Sequence, residues 1–332
     1  IYNMIYKSID IIKFIMALFV VTIHCYIVNE IQIDWLKRIC TSLIYSAVPF
    51  FYVTSSYLLF RHIQYNRNQI INQSIFKSKL NKYWHHIAKM YILWFVIYHI
   101  MDIKRLFIHP LESLTNMVNS FFCWGCGHLW YLWGLLLILP VIYKALQHIK
   151  PSLLVIIGFG LICVFRLYSH FGSAENPTWW QSPLVYMWQG HVFNVFGICY
   201  AWAFISVGIW MATTDKWKQI TNKYLYIILI SSLIICCIDT GSVSIGYQPV
   251  AFALVALCLR WNINSESFFL THCRDVSTYI YLIHILIISL SSTITNTPMI
   301  KWILTLIISS IMALIISIIK KKQRTNKLVS EK

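Results

Sequence analysis

Charge is the scarcest commodity of this 332-residue chain. Asp, Glu, Lys and Arg together make up 11% of it, and only eleven residues are acidic. A soluble domain carries roughly 25% charged residues, so an ordinary water-soluble globule is excluded. Glycine (11) and proline (8) are also few. No Gly/Ser/Pro-rich linker and no low-complexity stretch divides the sequence, so a single membrane domain over 1–332 is expected. No internal repeat is evident, which disfavours repeat-built transporters. Short segments of strict apolar–polar alternation are also lacking, which excludes an outer-membrane barrel.

What fills the chain is apolar. Hydrophobic residues make up 58%, aromatic residues 16%, and the mean hydropathy is +0.65. Apolar runs near the roughly 20 residues that cross a bilayer predict an all-α polytopic protein. The ten expected spans are 9–28, 41–60, 83–101, 128–144, 152–168, 192–211, 224–239, 247–261, 276–293 and 300–319. The partly apolar segment 113–123 is short, and is expected to lie at the surface or to re-enter. No small-x-small cleavage site follows the first run, which also contains Lys13 and His24, so it is expected to be retained as a span.

The net charge of +16 is distributed unevenly. With the N-terminus inside, twenty Lys and Arg fall on the inner side, six of them in the basic tail 320–332. The outer segments hold Lys37, Arg38, Lys104 and Arg105, with Lys301 at an edge, and Lys13 and Arg166 lie within spans. This asymmetry predicts cytoplasmic termini and explains the basic balance without nucleic acid as a partner. The ten cysteines lie mostly in spans, as small apolar residues. "CWGC", Cys123–Cys126, is the exception, on the expected outer side; no second pair accompanies it, so no metal site is expected.

The first span reads "SIDIIKFIMALFVVTIHC", Ser8 to Cys25. Charges in lipid are expensive and usually face a protein interior. Lys13 and His24 are eleven positions apart, hence within roughly 20° on a helix and about 16 Å apart along it. Asp10 sits one turn before Lys13 on nearly the same stripe. Either this face works, or Lys13 snorkels, Asp10 starts the helix and His24 is a hydrogen-bonded core residue. On the inner connection, Phe76, Leu80 and Tyr83 recur at helical spacing, with Lys77 and Lys82 turned away and Lys79 at the edge. An amphipathic helix on the inner surface is expected there.

These residues resemble a family. "IDIIKFIMALFVVTIH" is similar to the opening helix of the acyltransferase 3 family, in which a basic residue, usually Arg, precedes a histidine by the same interval. "AVPFFYVTSSYLLF" (47–60), "GHLWYLWGLLL" (127–137) and "YIYLIHILI" (279–287) resemble that family's second-span, His-Leu-Trp and Tyr-Leu-x-His signatures, in the same order. Lys13 stands where Arg is usual, and Ser56 where glycine is usual.

The resemblance implies transfer of an acyl group, commonly acetyl, from cytoplasmic acyl-coenzyme A as co-substrate to hydroxyls of an envelope glycan or lipid-linked sugar. It implies an integral protein of the bacterial cytoplasmic membrane with no bound cofactor. His24 is then the catalytic candidate, as general base or transient acyl carrier, with Lys13 and Asp10 beside it. Lys77, Lys79 and Lys82 are candidates for the donor's phosphates; positive-inside charge meeting lipid headgroups is the alternative. Ser55, Ser56, Tyr57, His128, Trp130, Arg166 and His284 are candidates for the acceptor path, and each also has a structural explanation. Trp179, Trp180 and Trp188 could stack on sugars or form an interfacial belt. An extended pantetheine arm is roughly 15 Å long, matching the Lys13–His24 interval. The competing classes are a transporter or flippase and an accessory membrane protein of envelope polysaccharide export.

Overall fold

The computed structural model describes residues 6–63, 65, 66, 69, 70, 73–101, 107–124, 127–172, 195–239, 243–264 and 267–330. These form helices α1 (Lys7–His24), α2 (Asp34–Tyr45), α3 (Ala47–Phe60), α4 (Gln73–Met101), α5 (Pro110–Asn119), α6 (Trp130–Ala145), α7 (Pro151–Gly172), α8 (Val195–Thr213), α9 (Asn222–Ile238), α10 (Tyr247–Arg260), α11 (Phe268–Ile294) and α12 (Pro298–Ser330). A two-residue antiparallel ladder, β1 (Tyr65–Asn66) with β2 (Gln69–Ile70), pairs Tyr65 with Ile70 and Asn66 with Gln69. Among the described residues the membrane protein is helical apart from this hairpin and its connecting turns.

Helices occur in all ten expected intervals. Among the described residues, three stretches are both long and apolar enough to cross a bilayer: Asp34–Phe60, Phe268–Ile294 and Pro298–Gln323. Five further apolar helices of the described residues are shorter, among them Trp130–Ala145 and Tyr247–Arg260. Helix α1 carries Lys7, Asp10 and Lys13 within its 18 residues, and α4 opens on a polar half. Both depart from a uniform apolar span.

Several boundaries differ from expectation. The second span begins at Asp34, and a turn at Ser46 divides α2 from α3. The surface helix expected around 76–83 is the first part of α4, continuous through Met101. Phe76 and Leu80 are buried as the stripe requires, Tyr83 is half-buried, and Lys79 is as exposed as Lys77 and Lys82. The ninth span extends eight residues toward the N-terminus, where Ser267 Oγ accepts from the Leu270 N–H at 3.3 Å. The basic tail continues α12 as helix to Ser330. Segment 113–123 forms most of α5 and a π-turn, Ser120–Trp124, with Leu111, Leu114, Val118 and Phe122 exposed.

The contacts divide the chain into two compact units: Ile1–Phe51, Thr221–Ser242 and Pro249–Lys332 in the first, Tyr52–Ile220 and Val243–Gln248 in the second. The first unit is built on α11. Helix α12 packs along it, and α1 packs against both. On α12, Thr305, Ser309, Ala313 and Ser317 recur every four residues and are fully buried, while Ile303, Ile307, Ile311 and Ile315 are exposed. Small residues on one face let helix backbones approach closely. Ser317 Oγ also lies 2.8 Å from His272 Nδ1, and Lys320 Nζ donates to Asp275 at 2.9 Å. Trp302 Nε1 donates to Thr22 Oγ1 at 3.1 Å, tying α12 to α1.

In the second unit α8 packs on α7 and α6, and α4 on α6. Trp84 Nε1 donates to the Leu136 carbonyl at 2.9 Å, and Tyr91 OH to the Phe121 carbonyl at 2.7 Å. Two glycines permit close approaches. A Cβ on Gly208 would lie 2.0 Å from Ser56 Oγ and 2.4 Å from the Val53 carbonyl; one on Gly134 would lie 2.3 Å from Tyr52 OH.

Candidate active site

In the first unit, α1 and α11 each bear charge near the N-terminal end and an imidazole further along. Asp10 is buried, and both its oxygens are engaged by one guanidinium: Arg274 Nε donates to Oδ1 at 3.1 Å and an Arg274 terminal nitrogen to Oδ2 at 3.0 Å. Lys13, one turn on, is half-buried. Asp10 attracts it and Arg274 repels it. Its ammonium has no carboxylate within ion-pair distance among the described residues, because Asp10 is turned to Arg274.

At the other end, the His24 and His284 rings face each other with centroids 5.1 Å apart and planes inclined at 45°. The charged pair and the ring pair together require α1 and α11 to run parallel. At 1.5 Å per residue, His24 lies about 21 Å beyond Asp10, and His284 about 15 Å beyond Arg274. His284 is fully buried and His24 half-buried. His284 Nδ1 lies 2.8 Å from the Tyr281 carbonyl and 3.2 Å from that of Ile280. A carbonyl only accepts, so Nδ1 carries the proton and Nε2 the lone pair of a neutral ring.

The second unit holds the remaining candidates. Ser55 Oγ lies 3.0 Å from Tyr131 OH, a hydroxyl pair that joins α3 to α6. Tyr52 OH donates to the Tyr131 carbonyl at 3.2 Å, and its ring packs against those of Trp130, Tyr131 and Tyr200. Ser56 is different. Its hydroxyl donates to the Tyr52 carbonyl at 2.8 Å, and the residue is fully buried against Gly208. That makes Ser56 a packing residue. The glycine expected at this crossing stands on the facing helix instead. Tyr57 is buried. His128 is buried edge-on against Tyr98, with centroids 5.0 Å apart. Arg166 is half-buried on α7.

Lys77 and Lys82 lie on one exposed face of α4 with Asn81, His85, His86 and Lys89, along an open depression of about 780 Å³. A second groove of about 730 Å³ runs between α4 and the end of α6, with Lys77 and Lys144 on its sides and Trp84 and Tyr143 in its wall. Lys79 lines neither. Trp179, Trp180, Trp188 and Cys126 lie outside the described residues, as does the side chain of Cys123.

Sequence reasoning did not single out Arg274 or Tyr131 as site residues. Arg274 was counted only among the inner positive charges. Its spacing to His284, ten positions, nearly repeats the Lys13–His24 interval of eleven and is the signal that could have found it.

The acyltransferase 3 family model, described as an acyltransferase domain, matches residues 6–321. A protein from Enterococcus faecalis named amino-acid racemase is 22% identical over 350 residues, covering 97% of this chain. The chain spans about half (47%) of that relative's length, and the racemase name belongs to that longer protein. No solved structure matches. The family match runs through α1, α3, α6 and α11 and nearly the whole chain: this membrane protein belongs to the acyltransferase 3 family.

Proposed function

We propose that the enzyme moves an acyl group, acetyl in the simplest case, from the thioester of cytoplasmic acyl-coenzyme A to a hydroxyl of an envelope carbohydrate. The observation that carries this reading is the facing pair His24–His284, set on the same two helices as Lys13 and Arg274 and about 15–21 Å from the charged end. A pantetheine arm of roughly 15 Å fits that interval: phosphates meet the cations and the thioester reaches the imidazoles. His24 is the more accessible ring and takes the proton from the acceptor hydroxyl. The acceptor oxygen then bonds to the thioester carbonyl carbon, the carbon–sulfur bond breaks, and the thiolate leaves with its electron pair and is protonated. His284, held by the Tyr281 carbonyl, fixes the position of the His24 ring against which it packs.

Considered by itself, the lysine face of α4 on the second unit, with Lys77 and Lys82 at its centre and Lys79 nearby, is the alternative place for the donor's phosphates. Ser55, Tyr57, His128, Trp130 and Arg166 are assigned to the acceptor's path, the Ser55–Tyr131 hydroxyl pair supplying hydrogen bonds to a sugar. The reading places the protein in the bacterial cytoplasmic membrane with both termini inside.

The test is the acetyl content of envelope glycan in cells expressing each variant at matched abundance. A positioned general base contributes roughly 10²–10⁴-fold to rate. His24→Gln keeps hydrogen bonding but accepts no proton at neutral pH, so acetylation falls to background. Full acetylation by that variant would remove His24 from the mechanism.

A further inference from the structure

We infer that Lys13 and Arg274 form one anion-binding site for the phosphate or pyrophosphate of the donor, and that Asp10 is its positioning residue. The inference rests on the donor reading above and adds to it a residue, Arg274, and a division of labour. The argument begins with charge. Two cations and one carboxylate meet where α1 and α11 pack, so the cluster carries an excess of one positive charge. Within a span, an uncompensated cation is costly and is kept where it has work.

The geometry says which groups are spoken for. Asp10 gives both oxygens to Arg274 and none to Lys13, although Lys13 is its neighbour one turn along the same helix. A carboxylate serving only to neutralise Lys13 would not face across to α11. The Asp10 side chain is 5% exposed and that of Arg274 is 56% exposed, so the guanidinium is gripped on one edge while much of it remains open. A guanidinium has five N–H donors in a fixed fork, and Asp10 takes those on Nε and one terminal nitrogen. The other terminal nitrogen is left for a second acceptor, with the fork held rigid. Planar, bidentate recognition of phosphate is what arginine does better than lysine. Lys13 adds a point charge beside it.

The experiment uses the full chain in detergent, with free coenzyme A and inorganic pyrophosphate as probes, so that binding is read without turnover. Arg274→Gln weakens coenzyme A binding roughly tenfold to a hundredfold, the range expected for losing a hydrogen bond to a charged group. Donor KM rises to match, while acceptor KM is unchanged. Arg274→Lys keeps the charge, loses the fork and falls between. Asp10→Asn gives the deciding sign. It removes a negative charge, so simple electrostatics makes it bind pyrophosphate more tightly, whereas loss of a positioned fork makes it bind more weakly; the inference requires the second. Unchanged coenzyme A and pyrophosphate binding by Arg274→Gln at wild-type melting temperature, or tighter pyrophosphate binding by Asp10→Asn, overturns it. A wild-type chain that binds pyrophosphate through Arg274 but not coenzyme A keeps the anion site and removes the donor reading. Binding of neither probe removes both.

Discussion

Single residues in this chain are settled by what their atoms can donate or accept. His62 follows α3, just outside the spans, and its Nε2 receives the Arg61 Nε–H at 3.3 Å. Only a neutral imidazole accepts there. Burial, with Lys79 and Arg61 nearby, lowers the His62 pKa below its ordinary value of 6.5. The sign follows: the folded state disfavours the protonated ring, so the contribution is intact above about pH 6.5 and is lost as pH falls through the lower folded value. The melting temperature of the wild-type protein in detergent is therefore expected to drop more between pH 7 and pH 5 than that of His62→Gln. Equal drops would mean that His62 does not sense its two cationic neighbours. At the same scale, His24, Lys13 and Asp10 were legible because polar residues stand out against an apolar run. Their partners were not: Arg274 looked like one more inner-side charge, and nothing in a linear sequence shows that Asp10 reaches across to a residue 264 positions away.

Elements divide in the same way. The apolar intervals of α6 to α10 were readable because lipid and protein interiors both demand helix-length apolar runs. The start of α11 was hidden by Thr271, His272, Arg274 and Asp275, polar residues that end an apolar window without ending a helix. Helix α4 was divided in two for the same reason, since its lysines and histidines break the hydropathy while Phe76, Leu80 and Ile87 keep one buried stripe running. The α2–α3 turn at Ser46 carries no glycine, and Pro49, in the first turn of α3, is the signal that could have marked it. The α11–α12 seam yields a prediction. Ser309→Leu forces a large side chain into a face built from Thr305, Ser309, Ala313 and Ser317, and overpacking of this kind costs about 1–3 kcal/mol. Ile311→Leu, on the exposed face, costs little. Melting temperatures of the two variants in detergent check this; equal values would mean that the small-residue face does not set the approach of the two helices.

For the molecule as a whole, the family was readable because four motifs fall in order along the sequence, and the uneven distribution of Lys and Arg predicts an orientation with both termini inside. A fluorescent protein fused to the C-terminus is expected to fold and fluoresce, while an alkaline phosphatase fused there stays inactive; active phosphatase would invert the topology and place the charged end of α1 and α11 outside. The central claim is that His24 is the general base for acyl transfer from coenzyme A to the acceptor hydroxyl. Its most direct test is the initial rate at which membrane vesicles containing their own glycan incorporate label from radiolabelled acetyl-coenzyme A, with wild-type enzyme and His24→Gln at equal abundance. The account predicts transfer of label to glycan by the wild type and a rate at least about 10²-fold lower for the variant. Equal rates would contradict it.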